Sequence, residues 1–371
     1  MAKEKLTDNY KYFWVNYLPT RWKLKASSFF SRARPVTDEI EFNSAFENVR
    51  KIVVILPRDQ NLIILLQRAI IAVKEHFNRS LLEVVAPASS KDLLQSNPYI
   101  DGGIFYNEED LFIFNPRFRE LCQNLKEREF DTCIIMNREF NIQHLILASF
   151  SGAFLRIGLE SASEFPYINL SIKHDPCITY EGEKNNSVLR SLGISVLKGK
   201  MDWKIPKTFT RDVENLLRGS GYSENKPPVV LNTAASISGD FFPPEIVNRL
   251  VSLLFSKTGR KTVLFTSLED RERVFGNLSD EGREAVVPFE CDSYGIAAAM
   301  MKKGAVFITL NNPYYQLAML LGVPAVSIFP ETQLEKWGGP ESVKNKIITS
   351  PSASACDAEQ IAAKVISFLP G

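Results

Sequence analysis

The stretch from Gly304 to Pro340 most constrains the fold of this chain. An apolar run at residues 305–309 leads into the turn Asn311–Pro313, a helical pattern follows, and a second apolar run spans residues 325–329. Two parallel strands need a crossover connection, so this order predicts a strand, helix, strand unit in a buried parallel sheet. The helix would begin at the carboxyl edge of the sheet, where backbone N–H groups and the helix dipole form an anion site.

Similar alternation runs through most of the 371 residues, which are too many for one ordinary core. We therefore expect an α/β protein of two doubly wound Rossmann-type domains facing across a cleft, preceded by an amphipathic helical arm. Ligand would bind where the strand ends meet the cleft. The predicted segments are the arm at 1–45, an N-terminal domain at 46–185, a connection at 186–226, a C-terminal domain at 227–350 and a final helix at 351–371.

The first 34 residues differ in charge from the rest of the chain. They contain eight Lys or Arg and two acidic residues, a local charge of +6, so the remainder carries −5. Apolar and aromatic residues recur there at helical spacing, first at positions 10, 13, 14, 17 and 18 and then at 22, 26, 29, 30 and 33. Basic amphipathic helices of this kind are typical of interfacial attachment to anionic membranes. The alternative is an arm that packs on protein. Nucleic-acid binding fits poorly, because the body is acidic.

The other compositional signals concern compartment and cofactors. The five cysteines are spread along the chain without metal or redox spacing, which indicates reduced, structural thiols. No stretch is long and apolar enough for a membrane span, and the N-terminus lacks a cleavable apolar region. We expect a cytoplasmic protein, with peripheral attachment to the inner face of the cytoplasmic membrane through residues 1–34. Neither an Asp-x-Asp metal motif nor a Gly-rich phosphate loop occurs, so no metal or cofactor is expected.

From Lys51 onward, the order and spacing of several strings resemble glycosyltransferase family 9, the bacterial heptosyltransferases of lipopolysaccharide synthesis, which have the GT-B fold. In the first half the matching strings are residues 52–55, 72–77, 97–101, 130–131, 151–153 and 156–158. In the second half they are residues 230–236, 263–265, 316–318, 321–324 and 329–340.

This resemblance implies an activity and its partners. The family performs an inverting, metal-independent transfer of a hexose or heptose from a nucleotide-sugar donor. The acceptor is a glycan or lipid-linked hydroxyl in cell-envelope polysaccharide or lipopolysaccharide. Such chemistry needs a base for the acceptor proton and positive potential for the departing diphosphate.

The base is the first point at which the sequence departs from the family. Aligned without gaps, the family's carboxylate falls on Leu62, which cannot accept a proton. Asp59, three residues earlier in the same turn, is the catalytic candidate that remains. His144 lies on an apolar helix and is expected in the core. The acceptor-binding candidates are Arg58, Gln60, Asn61 and His174.

The donor site also departs from the family pattern. The phosphate-binding Asp-Ser-Gly string, with a His three residues on, aligns with Asn311–Pro313 and Gln316, and the family's donor lysine aligns near Asp240. Pro313 removes one backbone N–H and Gln316 cannot become cationic, so anion affinity should be weakened. Each polar residue here is also a common turn or cap residue. The donor-binding candidates are Thr233, Ala234, Ser236, Thr266, Ser293, Asn311, Asn312, Gln316, Glu331 and Thr332.

Two functions remain open at this point. The first is an active glycosyltransferase; the second is a protein that kept the fold, lost the reaction and binds a glycan or partner as a scaffold. The departures at Leu62, Asp240 and the 311–316 group favour the second more than any one alone would. A sugar epimerase ranks last, because no carboxylate pair can be placed in the cleft.

Overall fold

The computed structural model describes residues 46–160, 167–173, 175–196, 203, 205–220, 226–268, 270–291, 293–339 and 345–369. The predicted basic arm and His174 lie outside the described residues. No helix in the described ranges combines the length and apolar composition needed to cross a bilayer. All five cysteines are free, and four of them are buried.

The chain forms two compact units that alternate along the sequence. The first comprises the described residues of Met1–Pro57, Phe77–Ala88 and Asp101–Lys173. The second comprises the described residues of Arg58–His76, Ser89–Ile100 and His174–Gly371. The segment boundaries expected from the sequence at 45, 185, 226 and 350 stay predictions.

The first unit is built on a six-stranded parallel sheet. Its strands are β1 (Lys51–Ile55), β2 (Leu81–Pro87), β3 (Gly102–Tyr106), β4 (Thr132–Ile135), β5 (Leu155–Leu159) and β6 (Leu170–Ile172). They are ordered β3-β2-β1-β4-β5-β6, which is the strand order of the Rossmann fold. The register places Val54 beside Val84 on one side and Ile134 on the other. Because β1 is central, it is buried on both faces and its sequence is a continuous apolar run.

Two longer helices, Pro116–Glu127 and Ile142–Phe150, pack their apolar faces into the core of this unit. His144 is 1% exposed and bonds through its two ring nitrogens, to Asn137 Nδ2 at 2.5 Å and to the Tyr106 hydroxyl at 3.1 Å. The prediction that His144 is a core residue is therefore confirmed.

The second unit contains a second six-stranded parallel sheet. Its strands are β7 (Val229–Asn232), β8 (Thr262–Thr266), β9 (Val286–Glu290), β10 (Val306–Leu310), β11 (Ala325–Phe329) and β12 (Asn345–Thr349). The order β12-β11-β10-β7-β8-β9 is again that of a Rossmann sheet. The described helices of this unit are Gln60–Leu65, Gln67–His76, Lys91–Gln95, Glu181–Ser191, Lys207–Gly219, Pro244–Thr258, Arg271–Phe275, Asp280–Glu284, Tyr294–Lys303, Pro313–Leu321, Glu331–Trp337 and Ala358–Ile366.

The strand, helix, strand unit predicted between Gly304 and Pro340 is confirmed as β10, helix Pro313–Leu321 and β11. The helix ends at Gly322, which has a φ of 64°. A left-handed residue at this position is the usual end of a helix, and glycine adopts it without strain. The α/β class with two Rossmann-type sheets is likewise confirmed.

Candidate functional site

The carboxyl edge of the second sheet contains the point at which the strand order reverses. There β7 and β10 are neighbours, although they are far apart in sequence, and the chain leaves them in opposite directions. In open α/β sheets, ligands bind in the crevice outside such a reversal. The residues that follow these strands are Thr233 and Ala234 after β7 and Asn311 to Pro313 after β10.

Asn312 ties the two turns together. Its Oδ1 accepts the N–H groups of Tyr314 and Tyr315 at 3.1 and 3.3 Å, as an N-cap does, and also accepts the Thr309 hydroxyl at 3.1 Å. Its Nδ2 donates to the carbonyl oxygen of Ala234 at 3.3 Å. Pro313 occupies the first helical position, where a missing N–H is tolerated. The start of this helix is therefore fixed by a neutral side chain.

The loop after β7 is closed by its own polar groups. Thr233 is 1% exposed, and its hydroxyl donates to the Phe265 carbonyl at 3.0 Å. Ser236 Oγ accepts the N–H of Asp240 at 3.0 Å, and the N–H of Ile237 donates to the Asn311 carbonyl at 2.7 Å. These two predicted donor-binding hydroxyls thus hold the loop in shape.

The loop after β8 brings a cation to the same edge. Thr266 is buried, and the next residue, Ser267, donates its hydroxyl to Asp270 Oδ2 at 2.9 Å. Asp270 Oδ1 in turn pairs with Arg273 Nε at 3.1 Å. Arg273 Nη2 reaches back to the Thr233 carbonyl at 3.2 Å.

Aromatic rings surround the N-terminus of helix Pro313–Leu321. The ring centroids of Tyr314 and Phe265 are 4.8 Å apart in an edge-to-face arrangement, and those of Tyr314 and Tyr294 are 5.2 Å apart. Burial raises the pKa of the Tyr294 phenol, and the negative charges of Asp92 and Asp59 raise it further. The Tyr294 phenol therefore stays protonated and neutral, and it lies close enough to the Asp92 and Asp59 carboxylates to feel their charge.

The start of helix Tyr294–Lys303 carries an internal anion. Ser293 is its N-cap and accepts the N–H of Ile296 at 3.3 Å. The Ser293 hydroxyl donates to Asp92 Oδ2 at 2.6 Å, and the N–H of Gly295 donates to the same oxygen at 3.1 Å. A carboxylate at a helix N-terminus is stabilised by the helix dipole. The chain's own carboxylate thus occupies the predicted donor contact at Ser293.

The predicted catalytic turn lies in the same unit. Helix Gln60–Leu65 packs against helix Pro313–Leu321, so Asp59 and its neighbours come beside the predicted donor residues. Asp59 is the N-cap of the short helix, and its Oδ1 accepts the N–H and the side-chain amide of Asn61 at 2.8 and 3.0 Å. Oδ2 of Asp59 has no hydrogen bond in the described part of the chain. Arg58 and Asp59 are exposed, and Gln60 Nε2 donates to Ser89 Oγ at 2.5 Å.

Packing accounts for two of the residues that differ from the family pattern. Leu62 contacts the apolar cluster of Tyr315, Phe329 and Trp337. Gln316 is 1% exposed and donates its amide to the Trp337 carbonyl at 2.9 Å. Gln316 is therefore closed off from solvent within its own helix, whereas Leu62 is partly buried against the cluster.

Glu331 and Thr332 begin helix Glu331–Trp337 and are exposed. Within the residues that the structure describes, no group of three or more His, Cys, Asp or Glu side chains is placed to hold a metal ion. Sequence reasoning missed Asp92, Arg273, Tyr294 and Tyr314. Tyr294 and Tyr314 lie within two residues of the predicted residues Ser293 and Asn312, so their position in the sequence could have indicated them. Asp92 is 201 residues from its partner Ser293, and no local signal marks that contact.

Solved structures share this architecture. A glycosyltransferase family 9 protein from Veillonella parvula aligns with a TM-score of 0.74 and 17% identity, covering 86% of this chain and 97% of that chain. The Escherichia coli ADP-heptose lipopolysaccharide heptosyltransferase II aligns with a TM-score of 0.71 and 16% identity, covering 86% and 98%. This chain has the fold of glycosyltransferase family 9.

A further neighbour is the E. coli heptosyltransferase WaaC with ADP, at a TM-score of 0.69 and 13% identity, covering 86% of this chain and 100% of that chain. Comparisons with protein-family models and with curated proteins gave no match. The fold predicted from the resemblance is thus confirmed by the structural comparison. The sequence identity to these neighbours is 13–17%, which shows a shared fold and does not by itself show a shared activity.

Proposed function

We propose that this protein is a glycosyltransferase that moves a hexose or heptose from a nucleotide-sugar donor to a glycan or lipid-linked acceptor. In this proposal the reaction is inverting and metal-independent and serves lipopolysaccharide or other cell-envelope synthesis. The observation that carries it is the strand-order reversal of the second sheet, with the N-terminus of helix Pro313–Leu321 beside it, in a fold shared with a heptosyltransferase that holds ADP.

The proposed mechanism assigns proton removal to Asp59. Asn61 holds Oδ1 of this carboxylate, which fixes the orientation of the group and leaves Oδ2 directed away from those two bonds. Oδ2 takes the proton of the acceptor hydroxyl as the new glycosidic bond forms. The donor's diphosphate leaves with the electron pair of the broken bond. The dipole of helix Pro313–Leu321 and cationic side chains near the strand-order reversal stabilise its charge.

Titration calorimetry with ADP, UDP and their sugar conjugates tests donor binding, and sugar transfer to an isolated lipopolysaccharide acceptor tests the reaction. Asp59→Asn retains the cap acceptor for Asn61 but cannot take a proton. We expect it to bind donor normally and to lose roughly 10²- to 10⁴-fold in turnover. Asp92→Asn is the matched control, because it removes a nearby carboxylate whose oxygens are already bonded. Full turnover by Asp59→Asn would exclude Asp59 as the base.

The second candidate function is a catalytically silent scaffold that binds a glycan or a protein. It is favoured by the hydrogen bonding of the two helix N-termini at this edge. Asn312 already accepts backbone N–H groups at one of them, and the Asp92 carboxylate accepts a backbone N–H at the other. Leu62, packed against an apolar cluster, favours it as well. Absence of heat on titration with every nucleotide and nucleotide sugar would retire the enzyme proposal and leave the scaffold.

We further propose that residues 1–34 attach the protein to an anionic membrane surface, where a lipid-linked acceptor would be presented. Eight cationic side chains and eight aromatic rings in this stretch support the proposal.

A further inference from the structure

Arg273 is held at the strand-order reversal of the second unit by three contacts. Its Nε pairs with Asp270 Oδ1 at 3.1 Å, its Nη2 donates to the Thr233 carbonyl at 3.2 Å, and its guanidinium carbon lies 3.9 Å from the centroid of the Phe241 ring. The side chain is 32% exposed. Ion pairing and ring stacking together restrict a side chain that is otherwise flexible, so the cation is preorganised.

The Arg273 guanidinium and the N-terminus of helix Pro313–Leu321 contact neighbouring residues of the loop after β7. Arg273 binds the carbonyl of Thr233, and Asn312 binds the carbonyl of Ala234, the next residue in the chain. The two carbonyls belong to consecutive residues, whose Cα atoms are about 3.8 Å apart, so the two groups contact the same short turn. This placement suits two linked phosphate groups, one at the cation and one at the helix N-terminus.

Two polar groups at this position lack partners among the described residues. Asn311 is 1% exposed, and neither its side-chain oxygen nor its nitrogen has a hydrogen bond. The third nitrogen of Arg273, Nη1, has no bond either in the described chain. A buried amide without a partner is unfavourable in an isolated protein and is expected where a ligand or bound water completes the bonding.

We propose that Arg273 is the phosphate-binding cation of this site, with Asp270 and Phe241 holding its guanidinium toward the diphosphate of the donor. Asp270 engages the Nε edge and leaves Nη1 for a phosphate oxygen. Asp240 lies in the loop after β7, and its carboxylate would repel a diphosphate bound nearby. A cation fixed in position, such as Arg273, would offset this repulsion. The inference rests on the proposed function for the identity of its ligand.

Arg273→Gln tests the inference, and Arg271→Gln is its matched control. Both changes remove one positive charge from the same short helix, but Arg271 is 67% exposed and pairs with Glu290 on the edge strand, 2.9 Å away. Titration calorimetry of the full chain uses ADP, adenosine and inorganic pyrophosphate. We expect Arg273→Gln to weaken ADP and pyrophosphate binding roughly ten- to a hundred-fold and to leave adenosine binding unchanged. Arg271→Gln should change none of the three by more than about two-fold.

Arg273→Lys guards against a folding defect, since it keeps the charge and loses the planar fork. Its ADP affinity should fall between those of wild type and Arg273→Gln, with a thermal midpoint equal to that of Arg271→Gln. If wild type binds ADP and Arg273→Gln binds it as well as Arg271→Gln does, the inference is wrong and the proposed function stands. If wild type binds pyrophosphate through Arg273 but no nucleotide, the anion site stands and the proposed function fails. If wild type binds neither pyrophosphate nor any nucleotide or nucleotide sugar, both are overturned.

Discussion

Replacing Asn312 with alanine should open the start of helix Pro313–Leu321 more than loss of an ordinary N-cap does. Loss of a cap costs about 1 kcal/mol. Here the same change also removes the donor to the Ala234 carbonyl, worth about 1 kcal/mol, and one of the two acceptors of the Thr309 hydroxyl, the other being the Leu310 carbonyl. Together these losses lower the free energy of local opening by about 2–4 kcal/mol.

Native-state amide hydrogen exchange measures this opening residue by residue, so it does not require the two units to unfold together. Exchange of the amides in 313–321 should accelerate by roughly 30- to 1,000-fold, at a factor of ten per 1.4 kcal/mol.

Asn141→Ala is the matched control, because Asn141 caps helix Ile142–Phe150 by accepting one N–H, that of His144. Its helix should lose only about 1 kcal/mol of protection. Equal losses in the two helices would refute the argument that Asn312 joins the turns after β7 and β10.

Three further predictions follow from packing, burial and charge. Leu62→Asp should lower the free energy of unfolding of the second unit by about 2–4 kcal/mol, because it places a carboxylate against an apolar cluster. Leu62→Asn introduces a side chain of the same shape without the charge and should cost less at neutral pH. Chemical denaturation of the two variants measures the difference. Burial raises the pKa of the Cys133 thiol from 9.0 to about 12, so the stability that this group contributes is fully present below pH 9 and is lost as pH rises to about 12. Urea unfolding over that range should show a smaller decline for Cys133→Val than for Cys177→Ala, and identical declines would contradict the assignment. Deletion of residues 1–34 should abolish co-sedimentation with anionic vesicles, and unchanged sedimentation would exclude the membrane anchor.

Sequence reasoning succeeds here where one physical cause dominates a whole segment. Strands β1, β7 and β10 are central in parallel sheets, so burial on both faces requires continuous apolar runs that are visible in the sequence. Gly322 and Pro313 mark the end and the start of one helix through backbone constraints alone. The fold was predictable for these reasons.

The candidate site was less predictable, because its contacts join distant segments through short polar side chains. Asp92 lies in the short helix Lys91–Gln95, and its bond to Ser293 spans 201 residues. Arg273 resembles any charged residue of a surface helix until the structure shows the Thr233 carbonyl and the Phe241 ring beside it. In an alignment Leu62 stands in place of the family's carboxylate, and the structure shows its side chain partly buried against an apolar cluster.

The two helix starts at this edge differ in a way that locates the anion. At helix Tyr294–Lys303 the Asp92 carboxylate already meets the exposed N–H groups, so a phosphate there would face a fixed negative charge. At helix Pro313–Leu321 the cap is the neutral amide of Asn312, which satisfies two N–H groups and leaves the helix dipole unneutralised. Arg273 binds the neighbouring turn on this second side. On the proposed function, the donor's diphosphate should therefore lie between Arg273 and Asn312, because the Asp92 carboxylate disfavours any position nearer to Ser293.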